Sequence, residues 1–217
     1  MTQRPRLLAI MGSGETAPTM AKVHRLLVER LGPRPVAAVL LDSPYGFQEN
    51  AEEISRRAVG YFGRNLRMPL HVASWRNPSD DVLQREQALA LVRDADLVFA
   101  GPGSPTYALR VWRGSGLRDV LAGKLAKGGC VTFGSAAAVS LGIAAVPVYE
   151  IYKVGADLHW VEGLDLLAMI GLRAAVIPHY DNAEGGTHDT RFCYLGEQRL
   201  QTMEGMLDAT TCVLGID

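Results

Sequence analysis

A serine closing a short apolar run is the most chemically suggestive feature of this chain: Gly129-Cys130-Val131-Thr132-Phe133-Gly134-Ser135-Ala136-Ala137-Ala138. A buried strand that ends at serine and enters a run of small residues reads as a nucleophile elbow. There the hydroxyl stands on a sharp strand-to-helix turn, and only small neighbours let strand and helix pack closely. Phe133 and Ala137 occupy the two positions where such elbows usually carry glycine, and Gly134 directly precedes the serine. The alternative reading makes Ser135 the N-cap of a helix. A serine hydroxyl attacks only when a base takes its proton and a third group orients that base. His179, in Ile177-Pro178-His179-Tyr180-Asp181, follows a predicted strand and is the candidate base, and Glu150 lies between serine and histidine as the candidate acid. His188, in the glycine-rich stretch Gly185-Gly186-Thr187-His188-Asp189, is the rival base, while His24, His71 and His159 fall on a helix, a strand and an irregular excursion. Cys130 is an alternative nucleophile, but a thiol inside a strand ordinarily behaves as a buried hydrophobe.

Two glycine loops follow predicted strands, Gly12-Ser13-Gly14-Glu15-Thr16-Ala17 and Gly101-Pro102-Gly103-Ser104-Pro105-Thr106. Both lie at carboxyl ends of strands, where open α/β sheets bind ligands. The first satisfies the dinucleotide pattern GxGxxA, with Asp42 where a ribose-binding acid is sought, but Glu15 would set a carboxylate against a pyrophosphate. Glu15 is expected instead beside the elbow, where it orients a substrate amine. Arg191 is a candidate for a substrate carboxylate, which a guanidinium holds through two parallel hydrogen bonds, whereas Arg199 reads as part of a solvated helix face.

These side chains need a frame. Apolar runs at Leu7 to Met11, Val36 to Leu41, Leu70 to Ala73, Leu97 to Ala100, Cys130 to Phe133 and Ala174 to Ile177 predict strands covered on both faces. Between them, Met20, Val23, Leu26, Leu27 and Leu31 predict one helical stripe, and Leu83, Ala88, Leu91 and Val92 another, capped by Asp80 or Asp81. Further helices are expected over Asn50 to Tyr61 and Gln198 to Leu207, and a hairpin-like excursion over Pro147 to Ala168. The alternation predicts an α/β fold in three layers, a mostly parallel central sheet with helices on both faces, formed by residues 1–217 as a single domain. With 217 residues, 48% hydrophobic and 21% charged, one core suffices. The 22 basic and 23 acidic residues nearly cancel, so neither nucleic acid nor an anionic membrane is an expected partner. Three scattered cysteines suit a reducing cytoplasm and make neither a disulfide framework nor a zinc site. The uncharged run from Cys130 to Tyr149 is punctuated by Gly134, Ser135, Gly142 and Pro147, which predicts strand, turn and helix rather than a membrane span.

At Gly103, Ser135, Glu150 and His179 together the sequence resembles the peptidase E and cyanophycinase family of serine peptidases, whose fold is that of the class I glutamine amidotransferases, a flavodoxin-like arrangement. Met11 to Glu15 resembles the family's first loop, Ala100 to Tyr107 its Gly-Gly-Gly-Asn-Thr-Phe loop, Phe133 to Ala138 its Gly-Trp-Ser-Ala-Gly-Ala elbow, and Pro178-His179-Tyr180 its Pro-His-Phe. The resemblance implies Ser135 as nucleophile, His179 as base, Glu150 as third member, and the amides of Gly103 and Ala136 as an oxyanion hole. It implies a hydrolase with no metal or organic cofactor, acting on a small aspartyl peptide or isopeptide, as a dipeptidase or a cyanophycinase-like enzyme. A non-catalytic ligand-binding domain on the same fold is the competing expectation. The last segment, Thr211 to Asp217, reads as a strand whose relatives continue into a further one. The expectation is therefore a truncated chain whose last strand is frayed or engaged with a second copy in a homodimer.

Overall fold

The computed structural model describes residues 4–33, 35–182 and 189–217. Five strands, β1 (Arg6–Met11), β2 (Ala38–Leu41), β3 (Leu70–Ala73), β4 (Leu97–Ala100) and β5 (Gly129–Gly134), form a wholly parallel sheet in the order β1-β5-β4-β2-β3. Its register sets Met11 beside Gly134 and Ala100 beside Phe133, so the loops after β1, β4 and β5 leave one edge together. That is where the two glycine loops and Ser135 meet.

Both faces are covered, as the continuous apolar strands require. In β2, Val39 and Leu41 face a core shared with α3 (Val82–Asp94), α4 (Pro105–Trp112) and α5 (Leu117–Lys127), while Ala38 and Leu40 face a second core beneath α1 (Ala21–Leu31) and α2 (Ala51–Tyr61). The result is the three-layer α/β arrangement. After the short α6 (Ser135–Val139), a smaller sheet runs β7 (Val161–Glu162), β6 (Ala144–Ala145), β8 (Ala174–Ile177), β9 (Cys212–Gly215), with α7 (Glu197–Glu204) between β8 and β9 in the chain. The uncharged run thus folds as strand, helix and strand, and among the described residues no helix is long and apolar enough to cross a membrane.

Several sequence expectations shift. The α1 stripe is inward only in part: Leu31 is buried and Leu27 packs against the second core, but Val23 and Leu26 are 39% and 48% exposed, and Ala21 and His24 are buried in their place. His24 takes the inward place because its ring packs among Tyr61, Phe62 and Phe99 and its Nε2 reaches the Glu15 carbonyl at 2.8 Å. In α3, Leu83 and Leu91 face solvent, and Ala88, Leu89 and Val92 pack inward. Asp81 caps that helix, accepting from the Leu83 amide. Within the excursion β7 pairs antiparallel with β6, which precedes it, but Glu150–Val154 coil into a π-helical turn where a hairpin strand is expected. Among the described residues β9 has one strand partner, β8, and the Asp217 carbonyl beyond it accepts from the Gly12 amide at 3.2 Å.

Candidate active site

β5 delivers Ser135 directly into α6, and the serine backbone lies in the left-handed region at φ 47°. An L-residue there costs roughly 1–2 kcal/mol, so it persists only where neighbours enforce it. The Ala137 amide, which donates to the Gly101 carbonyl at 3.2 Å, fastens the elbow to the loop after β4. Gly134 packs closely on the first glycine loop: a Cβ there would stand 3.0 Å from the Glu15 Cβ. Phe133 points the other way, fully buried with its ring 5.8 Å from that of Trp112. Its bulk therefore fills the core and leaves the elbow clear.

β8 leads through Pro178 to His179, also left-handed at φ 51°, whose Nε2 lies 3.1 Å from the Ser135 hydroxyl. Its Nδ1 faces the Asn182 side-chain oxygen at 3.3 Å, and the Asn182 amide donates to the Ser13 hydroxyl at 2.7 Å. A neutral imidazole protonated at Nδ1 satisfies both contacts and leaves Nε2 as an acceptor for the serine proton. The buried Thr190 hydroxyl holds the Asn182 carbonyl at 2.7 Å. Beyond it Phe192, Cys193 and Tyr194 are consecutively left-handed, which sets the Tyr194 ring edge-on to His179 at 6.1 Å. Sequence reasoning passed over Asn182 and Ser13. The signal available was the position of Asn182, three residues beyond the histidine in the same loop.

Glu150 is placed elsewhere. Among the described residues no hydrogen bond joins it to His179; it begins the π-helical turn and lines a neighbouring cavity, and its buried Oε2 has no partner among those residues. The place beside Nδ1 is taken by Asn182, which the loop after β8 carries there directly. His188 lies outside the described residues. His24 is buried under α1, His71 is exposed on β3, and the ring of His159 bonds to the Asp157 carbonyl.

A cavity of about 250 Å³ opens over the elbow, lined by Ser135, Ala136, His179, Gly103, Glu15 and Tyr149 among others. Glu15 is only 6% exposed and fits because Gly101 and Gly134 have no side chains: a Cβ on Gly101 would stand 2.8 Å from its Oε1. The glycines of these two strand ends thus make room for a carboxylate rather than for a pyrophosphate. Gly103 has φ 136°, and a Cβ there would meet the Pro44 carbonyl at 2.1 Å, so this close approach admits only glycine. Among the described residues the Gly103 amide donates to no backbone carbonyl. Asp42 is consumed structurally, accepting from the Ser74 hydroxyl, the Trp75 amide and Arg76 Nε. Arg191 lines neither the cavity over the elbow nor the one beside it as the described residues form them: its guanidinium grips both oxygens of Asp189 on the surface, and that pairing holds the Asp189 carboxyl down at about 2. Burial pushes the Cys130 thiol up to about 11, with Sγ 3.2 Å from the Thr132 hydroxyl, so it is a poor nucleophile.

No family model and no curated protein matches the chain. Solved structures do. A peptidase from an acI-B1 Actinobacterium superposes with a TM-score of 0.72 at 22% identity, covering 97% of this chain and 79% of its own. A protein of Listeria monocytogenes EGD-e provisionally assigned as Peptidase E superposes at 0.58 with 13% identity, covering 96% and 89%. The fold is therefore one that these proteins share.

Proposed function

We propose that the chain is a peptidase E-like serine hydrolase that cleaves a short peptide through an acyl-enzyme. The observation that carries this is the Ser135 hydroxyl 3.1 Å from His179 Nε2 on a left-handed strand-to-helix turn. Both residues occupy backbone conformations that a purely structural serine or histidine does not need. The likeness of fold to a peptidase supports the same reading.

In the proposed reaction, Nε2 takes the hydroxyl proton as Oγ bonds to the scissile carbonyl carbon. The carbonyl oxygen becomes an oxyanion facing the amides of Gly103 and Ala136, each worth about 3 kcal/mol of barrier. Collapse breaks the carbon–nitrogen bond, and Nε2 returns the proton to the leaving amine. Water, deprotonated by the same nitrogen, then attacks the acyl carbon and restores the Ser135 hydroxyl. Asn182 holds the imidazole tautomer, and Ser13 holds Asn182. Glu15, buried in the same cavity, receives the substrate's free amino group. An aspartyl residue on the acyl side is proposed from the sequence resemblance, and no metal or cofactor is needed for these steps.

Hydrolysis of a panel of aspartyl dipeptides tests the assignment. Ser135→Ala is expected to abolish turnover with the fold intact, whereas Cys130→Ala is expected to change kcat/KM only mildly. A larger loss in the cysteine variant would overturn it.

A further inference from the structure

Beside the nucleophile pocket lies a larger cavity, about 620 Å³, that the proposed chemistry leaves without a role. Tyr149 lines both cavities, so a substrate residue on one side of the scissile bond can reach it from Ser135. Its walls are aromatic: the Phe47 ring lies 5.0 Å from Tyr107 and 6.5 Å from Tyr149. The Tyr107 hydroxyl donates to the Arg76 carbonyl at 2.9 Å, which fixes that ring as a rigid wall. Such a surface takes an apolar body.

The charges define the rest. Arg110 lies over the Tyr107 ring at 4.6 Å and Lys153 over the Tyr152 ring at 4.8 Å, and neither forms an ion pair with a described residue. Both line the cavity, as does Glu150. Two cations and one carboxylate lining the same cavity complement an amino acid, with its carboxylate and its amine.

We propose that this cavity is the leaving-group subsite, which selects a substrate's C-terminal residue by its free carboxylate and its aromatic or branched aliphatic side chain. This rests on the peptidase reading for its place in the reaction. Arg110 and Lys153 hold the carboxylate, Phe47, Tyr107 and Tyr149 hold the side chain, and Glu150 accepts from the nitrogen that becomes the released amine. The preferred substrates are accordingly short peptides that end within this cavity, and the released product is a free apolar amino acid.

Calorimetric titration with L-phenylalanine, L-phenylalaninamide and glycine tests the subsite without turnover. The expected result is saturable binding of phenylalanine, with the amide and glycine weaker by about tenfold or more, as the loss of a charge-assisted contact or of an apolar body implies. Arg110→Gln combined with Lys153→Gln, both at exposed positions, is expected to weaken phenylalanine to the level of its amide. Equal binding of acid and amide, no binding of phenylalanine, or an unaffected double variant would overturn the subsite. Hydrolysis without this selectivity refutes the subsite alone, whereas selective binding by a protein that hydrolyses no peptide refutes the peptidase reading alone.

Discussion

The orientation of His179 turns on a single amide. Asn182 offers its oxygen to Nδ1 while Ser13 fixes its nitrogen, so the imidazole is held with Nε2 toward the serine. A neutral amide cannot stabilise an imidazolium as a carboxylate does, so the arrangement works by positioning more than by charge. Replacing Asn182 by Ala is expected to slow serine acylation by about tenfold or more, through loss of the competent tautomer. Glu150→Gln is expected to slow it less, because the Glu150 carboxylate makes no hydrogen bond to the imidazole. Stopped-flow rates with a fluorophosphonate, which needs no peptide subsite, compare the two. A greater loss in the Glu150 variant would restore the acid to the triad. The serine and histidine were legible from their strand-end positions and types. Asn182 was not, because an asparagine in a polar loop carries no periodic or chemical signal until the loop's path is known.

Elements act on the site through what they bury. Phe133 departs from the usual elbow composition, yet its side chain belongs to the core beside Trp112. Phe133→Ala is therefore expected to cost about 3–5 kcal/mol of stability, the range for emptying a buried aromatic site. Urea unfolding measures this, and a loss under about 1 kcal/mol would show that Phe133 is not packed as described. α1 reaches the site through His24, whose Nε2 donates to the Glu15 carbonyl while its Nδ1 is buried without a partner among the described residues. Burial lowers the pKa of this imidazole below its ordinary 6.5, and the bond to Glu15 only partly opposes that. The unfolded chain thus binds a proton there that the folded chain refuses. Its stabilising contribution is whole above pH 6.5 and is lost as pH falls from there towards the depressed folded value. The urea midpoint is expected to drop between about pH 7.5 and about pH 5.5, and to drop less in His24→Gln. Equal slopes in the two proteins would contradict this. The helical period placed α1 and α3 correctly in the chain and caught part of each inward face, Leu27 and Leu31 in α1 and Ala88 and Val92 in α3. In α1 an aromatic cluster recruits a histidine, and in α3 Leu89 takes the inward place expected of Leu91.

At the scale of the molecule, one sheet edge gathers residues that lie far apart in the chain. β1 brings Ser13 and Glu15, β4 brings Gly103, β5 brings Ser135, and β8 of the second sheet brings His179 and Asn182. The parallel sheet was legible, though not its strand order, because strands covered on both faces are apolar runs, and β3, β4 and β8 fall where their runs predict. α4 and α5 escaped notice, since Gly114 and Gly116 break the period between them, and the excursion's helical turn was hidden by alternating side chains. Arg191 illustrates the limit of residue type alone: a guanidinium suited to a carboxylate finds Asp189 two residues away. The arrangement at the shared edge has a purpose only if it activates Ser135. The direct measurement is fluorophosphonate labelling of native and urea-unfolded protein, with the modified residue located by peptide mass spectrometry. Labelling of Ser135 alone, in the native protein alone, is the predicted result. An unlabelled native protein beside a working control hydrolase, or a label on any other residue, would contradict it.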